Sequence, residues 1–184
     1  MSDAAAGPPA FVLRRAQPGD ADALSLLGQA TFLETFAGLL DGDDILRHCA
    51  SGHAAEVYRD WLADAAVSIW LAVVAPGGAP VGYLVMAPSQ LPVDARRGDL
   101  EIKRIYLLHR FQGTGIGRAL LEAATGQARH HGDGRVLLGV YAGNERAIAF
   151  YQRAGFRGVG HRRFSIGGGE YDDVVLALDM ETAQ

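Results

Sequence analysis

The chain has 184 residues and a mass of 19.5 kDa, enough for one sizeable core and short for two domains. Apolar residues make up 49% and charged residues 21%, which excludes a chain that stays unfolded for want of apolar surface. No run approaches the ~20 apolar residues of a membrane span, and a net charge of −4 without a basic, aromatic-laced stripe argues against nucleic acid.

Residues 1–10, mostly Ala, Gly and Pro, read as a flexible N-terminal tail, and 11–180 as a single domain. FVLRRA (11–16) reads as a first strand. Pro18-Gly19-Asp20 starts a helix with Leu24, Leu27, Phe32 and Phe36 at helical spacing, ending near Gly38. Asp41 or Asp43 can cap a second helix, and Ala54–Ala65 reads as a third. SIWLAVVA (68–75) and PVGYLVMA (80–87), split by Pro76-Gly77-Gly78-Ala79, predict an antiparallel hairpin. LEIKRIYLL (100–108) reads as a central strand, followed by a glycine-rich loop and an amphipathic helix from Ile116 to His131-Gly132. RVLLGVY (135–141) is then a strand parallel to 100–108. Asn144 caps a short helix that Gly155 stops, and strands at 156–164 and 171–179 close the chain, joined by SIGGGE.

Charge is divided along the chain. Between Glu34 and Asp64 there are seven acids against two arginines, while Arg96–Arg163 carries thirteen Lys or Arg against five acids. The first segment is suited to a cationic partner and the second to an anionic one. The opening MSDAAAGPPA has no basic flank or apolar segment, and the lone Cys49 cannot close an internal disulfide, so a cytoplasmic location is expected. The six histidines lack ligand spacing, and no metal is expected.

Gln112-Gly113-Thr114-Gly115-Ile116-Gly117 stands where a strand turns into a helix, so its amides are unpaired and carry the positive end of the helix dipole. That is an anion site, and Gly115 and Gly117 are expected to supply positive φ and close approach for a pyrophosphate. A dinucleotide fingerprint would need Gly or Ala at Arg118, and a P-loop would need Lys-Ser/Thr after Gly117; both spacings fail.

The string Gln112-x-x-Gly115-x-Gly117, a helix, a strand, Asn144-x-x-Ala147 and Phe150-Tyr151 before Ala154-Gly155-Phe156 resembles the GNAT superfamily of acetyl-CoA-dependent N-acetyltransferases. EIKRIYLL, LLGVYAGNERAIAFYQRAGF, FSIGGGEYDD and TFLETFAGLLDGDDILRHC are similar to bacterial spermidine/spermine acetyltransferases of the PaiA type. The chain departs from that type at Tyr141, where those relatives carry Trp, and at Arg162, where they carry His. The resemblance implies an α/β fold with a mixed, mostly antiparallel sheet, a splayed parallel pair at its centre and flanking helices.

It also implies roles. The backbone of Gln112, Gly113, Thr114, Gly115, Ile116, Gly117 and Arg118 would wrap the pyrophosphate of acetyl-CoA. Main-chain groups of Ile105, Tyr106 and Leu107 would pair with the pantetheine arm like an added strand, and Asn144 would hydrogen-bond it. Arg110, Arg118 and Arg146 could add charge to the phosphates. Tyr151 is the implied acid for the departing thiolate, and Glu101 the implied base for the amine. For the acceptor, a small amine and foremost a polyamine, Glu34 and Asp44 are the candidate anchors. Acetylation of a protein N-terminus, amino acid or drug, a non-catalytic coenzyme A sensor, and assembly as a homodimer remain alternatives on sequence alone. Cys49, without a motif around it, reads as a small buried hydrophobe rather than a nucleophile.

Overall fold

The computed structural model describes residues 10–132 and 134–180, so the expected tail, except Ala10, lies outside the described residues. Element order is β1 (Phe11–Arg15), α1 (Ala21–Phe36), α2 (Gly42–Gly52), α3 (Ala55–Ala63), β2 (Ser68–Val74), β3 (Ala79–Pro88), β4 (Leu100–Leu107), α4 (Ile116–His131), β5 (Arg135–Tyr141), α5 (Glu145–Arg153), β6 (Arg157–Ile166) and β7 (Gly169–Asp179). The strands form one seven-stranded sheet in the order β1-β2-β3-β4-β5-β7-β6. Every neighbouring pair is antiparallel except β4–β5, which is parallel and central.

Helices cover both faces, which is why β2 and β3 read as unbroken apolar runs rather than alternating ones. On one face Ile116, Leu120, Leu121, Ala124 and Ala128 of α4 pack with Leu84, Met86, Ile102, Val136 and Leu138 of the sheet. Each such leucine or isoleucine contributes about 1.5–3 kcal/mol by leaving water. On the other face Leu24 and Leu27 of α1 and Tyr58 of α3 meet Ile69, Leu71, Tyr83 and Val85, and Phe32 and Phe36 join Ile45 and Cys49 of α2 and Ile166 of β6. No helix among the described residues is long and apolar enough to cross a membrane.

The last hairpin differs from expectation. Ser165-Ile166 and Gly169-Glu170 pair within the strands, so only Gly167 and Gly168 turn the chain. A two-residue hairpin suits the twist of its strands when the turn adopts positive φ, and Gly167 has φ of 63°.

Candidate active site

β4 and β5 are in register only at Leu100–Val136, Glu101–Leu137 and Ile102–Leu138. Beyond Ile102 the strands part, and β4 remains bonded to β3 alone. Bonded and non-bonded pairs alternate in an antiparallel ladder, and the Leu108 N–H donates to the Val81 carbonyl at 2.9 Å. Counting back, Tyr106 turns its main chain to Tyr83 of β3, whereas Ile105 and Leu107 turn theirs to the gap. This corrects one expectation: Tyr106 does not offer its backbone to a ligand in the gap.

A cleft of about 610 Å³ fills the gap, lined among others by Ile105, Leu107, Gln112, Gly113, Gly115, Gly117 and Arg118 and by Asn144 and Tyr151. Gly115 is the N-cap of α4 at φ 90°, and no side chain caps this helix. The first-turn amides therefore face the cleft with the dipole behind them, a cradle for a phosphate. Gly113 also has positive φ, at 80°. Gly117 does not: it is helical, and a β-carbon there would meet only Phe150, at 3.9 Å, so positive φ is no reason for glycine at this position. Thr114 and Ile116 lie behind the cradle; the Thr114 hydroxyl donates to the Phe111 carbonyl at 2.6 Å, and Ile116 is fully buried. Arg118 is exposed and paired with Glu122 at 2.6 Å, while Arg146 and Arg153 also line the cleft. Arg110 stands near the Phe111 ring.

Asn144 caps α5, its Oδ1 accepting from the Ala147 N–H at 3.1 Å, which leaves its NH₂ group for the cleft. About two turns along, Tyr151 packs against Phe150 and Phe156 and is buried. Its hydroxyl makes no hydrogen bond among the described residues, and burial pushes its acidity well down, so it carries a proton at neutral pH.

A second cavity of about 390 Å³ adjoins the first cleft, on the side of β4 that carries Glu101 and Tyr106. Phe36, Lys103, Arg104, Tyr106, Gly139 and Tyr141 line both spaces, so the two meet at the splay. A register shift between β3 and β4 sets what this cavity contains. Val85 pairs with Arg104 but Met86 with Ile102, and the extra residue brings Lys103 and Arg104 to the side already occupied by Glu101 and Tyr106.

Glu101 is 3% exposed; its carboxylate meets Lys103 Nζ at 2.7 Å, Arg162 at 3.8 Å and the Gln90 N–H at 3.0 Å. Arg162 also bonds Asp173 at 2.9 Å, and burial pushes the Asp173 carboxyl up against that bond. Arg104 donates to the Tyr58 hydroxyl, to His53 Nδ1 and to the Gly52 carbonyl and stacks on Trp61, all neutral groups. Burial and this guanidinium push His48 down to about 4 and His53 down to about 2, so both imidazoles are uncharged at neutral pH. His53 Nε2 is buried without a partner among the described residues.

The acids proposed from sequence as acceptor anchors line neither cavity. Glu34 reaches from α1 to accept the His109 N–H at 2.9 Å, tying the helix to the approach of the glycine loop. Asp44 is buried at the start of α2, accepting from the Gly168 N–H at 2.7 Å and the Tyr171 hydroxyl at 2.9 Å, with Arg47 at 3.0 Å. The Gly168 bond holds its carboxyl below the usual range, with Tyr171 and Arg47 helping against burial. The acids cluster there because Asp41 caps α2 and Asp43 and Asp44 sit in its positive first turn.

Sequence reasoning missed Asp173, Arg104, Arg162 and His48 as cavity groups. Asp173 was reachable: counting back by twos from Ala177 and Val175, both buried, puts it inward and Asp172 outward. Arg104 was not, because alternation from Glu101 and Lys103 places it on the other face unless the bulge is known. No group of three or more metal-ligating side chains gathers among the described residues.

The sequence matches the profile of the acetyltransferase (GNAT) family over residues 40–156. It is 29% identical over 161 residues to an uncharacterized N-acetyltransferase of Mycobacterium tuberculosis, covering 88% of this chain and 98% of that one. The fold is similar to the PaiA N-acetyltransferase of Thermoplasma acidophilum in complex with coenzyme A, with TM-score 0.75, 16% identity and coverage of 92% and 99%. It is also similar to the acetyltransferase yncA of Salmonella typhimurium with acetyl-CoA, with TM-score 0.65, 19% identity and coverage of 95% and 96%. With a glycine cradle at a helix start, a splayed parallel pair and a profile match across both, this chain belongs to the acetyltransferase (GNAT) family, whose cosubstrate is acetyl-CoA.

Proposed function

We propose that the enzyme acetylates a primary amine of a small acceptor by direct attack, with acetyl-CoA in the first cleft and the amine arriving through the second cavity. The observation that carries this reading is that the two spaces adjoin, sharing as lining Phe36 of α1, Lys103, Arg104 and Tyr106 of β4, and Gly139 and Tyr141 of β5. Two reactants can meet there without either having to leave for the other to enter.

Acetyl-CoA supplies the thioester. The first-turn amides of α4 hold its pyrophosphate, and Ile105 and Leu107 align its pantetheine as an added strand, with the Asn144 NH₂ group alongside. Glu101, acting directly or through water, takes a proton from the attacking amine; Asp173, made more basic by burial, is the second candidate. As the N–C bond forms and the C–S bond breaks, Tyr151 gives its proton to the departing sulfur and regains one from solvent. No residue is acylated. A polyamine acceptor draws support from the resemblance to the PaiA type, but Glu34 and Asp44 lend it none.

Thiol release from acetyl-CoA over a panel of primary amines tests the reading. Turnover with at least one amine and no acetylated protein by mass spectrometry is the expected result; a covalent acetyl-enzyme, or acetyl-CoA binding without turnover of any amine, would overturn it.

A further inference from the structure

The charge of the second cavity is not what a polycation requires. Three cations, Lys103, Arg104 and Arg162, face two carboxylates, Glu101 and Asp173, and His48 adds no charge. The pairing is also uneven. Glu101 is shared by Lys103 and Arg162, and Asp173 is bonded by Arg162. Arg104 has no carboxylate within ion-pair distance among the described residues, and its bonds go to Tyr58, His53 and Gly52. A largely buried guanidinium held only by neutral groups gains most when an anion completes it, and an ammonium brought to the same place is repelled. Two consecutive cations share this side because of the bulge in β4, so the positive wall is part of the fold rather than an accident of side-chain rotation.

Taking the second cavity as the acceptor site, as in the reading above, we propose that the acceptor is an amino carboxylate: its carboxylate rests on Arg104 with Lys103 alongside, and its primary amine is presented at the splay. Apart from Gln90 and the uncharged His48, the remaining wall is mostly aromatic, with Phe32, Phe36, Tyr106, Tyr141 and Phe164, which suits a free α-amino acid with an apolar or aromatic side chain. A volume of about 390 Å³ fits a molecule of that size. The bonds made and broken are those given above; the carboxylate takes no part in them. Acetylation cancels the charge of the amine and leaves a product with a net negative charge.

The test compares acceptors that differ only in the anion. Thiol release is measured with L-phenylalanine, L-phenylalaninamide and spermidine, and 3-phenylpropionate, which keeps ring and carboxylate but lacks the amine, is added as an inhibitor. The expected result is a kcat/KM for phenylalanine on the order of 10²-fold above its amide, with competitive inhibition by 3-phenylpropionate. Arg104→Gln is expected to bring the two kcat/KM values within a few-fold of each other. If that variant does not fold, the inhibition by 3-phenylpropionate and the acid-to-amide ratio of the unaltered enzyme still decide. Preference for the amide or for spermidine would overturn this inference and leave acetyl transfer standing; turnover of no amine would overturn both.

Discussion

The Arg162 guanidinium lies across Gly139, so close that a β-carbon at Gly139 would stand 2.7 Å from one of its nitrogens. Arg162 on β6 reaches over β7 to bond Asp173 and approach Glu101, and the bare backbone of β5 at Gly139 gives it room. Gly139→Ala displaces a flexible side chain rather than backbone, so the variant is expected to fold. It should lower kcat/KM for the acceptor roughly 10-fold, through KM for the acceptor, with acetyl-CoA affinity changed less. Steady-state kinetics in both substrates, with calorimetric titration of acetyl-CoA, checks the split.

Tyr151→Phe keeps the ring packed against Phe150 and Phe156 and removes only the hydroxyl. If Tyr151 is the acid, kcat falls by on the order of 10²–10⁴ with little change in acetyl-CoA affinity. Because burial raises the pKa of this phenol well above its ordinary value, no loss of activity from its ionisation is expected on going from pH 7 to pH 9. Wild-type kcat in the variant, with chemistry shown to limit turnover, would reduce Tyr151 to a packing residue.

The two glycines of the cradle should respond differently. Gly115 has φ of 90°, where a β-carbon costs about 1–2 kcal/mol, so Gly115→Ala should lower Tm as well as weaken acetyl-CoA. Gly117 is helical and uncrowded, so Gly117→Ala should keep or raise Tm, and any loss of acetyl-CoA affinity reports a clash with the ligand alone. Thermal melts and calorimetry on the pair separate strain from steric exclusion.

The joined end of the parallel pair is clamped by Asp99, just before β4, and Arg135, the first residue of β5, with N–O distances of 2.7 and 3.1 Å and both side chains buried. Removing the acid strands the guanidinium, and Asp99→Ala should cost about 3 kcal/mol in a denaturant titration. Burial pushes the Asp99 carboxyl up, but bonds from Arg135 and the Arg96 amide outweigh it, so its folded pKa is lowered. A lowered carboxyl pKa stabilises the fold fully above the unfolded value near 4 and loses that contribution as pH falls through the folded value. The wild type should therefore lose more stability below about pH 4 than Asp99→Asn does.

The glycine cradle and the short capped helix were legible in the sequence because they depend on local signals: a strand running into Gly113, Gly115 and a helix, and an Asn144 cap. The lining of the second cavity was not, because it depends on register. A single extra residue in β4 turns Arg104 inward, and Arg162 meets Glu101 only after the sheet places β7 and β6 beyond β5. The acids of 34–64 misled for a related reason. Their density in sequence follows from helix capping at Asp41 and from the ties of Glu34 to His109 and Asp44 to Gly168, each satisfied locally or across one contact. The SIGGGE segment was read as a connection because glycine usually breaks a strand, yet Gly169 stays paired with Ile166 at the end of the ladder.

A sheet whose central pair is in register for only three positions is, without its ligand, one rung-bearing segment short. The main-chain N–H groups of Ile105 and Leu107 then have no strand partner on that side, the Leu107 carbonyl is held only by Gln112 Nε2 at 3.4 Å, and acetyl-CoA aligned there would act as a removable piece of secondary structure. Amide exchange at these two residues should slow on ligand addition while exchange at Tyr106, bonded to β3 throughout, changes little. The melting temperature should climb with the logarithm of acetyl-CoA concentration, so that the unfolding curve itself reports occupancy of the cleft.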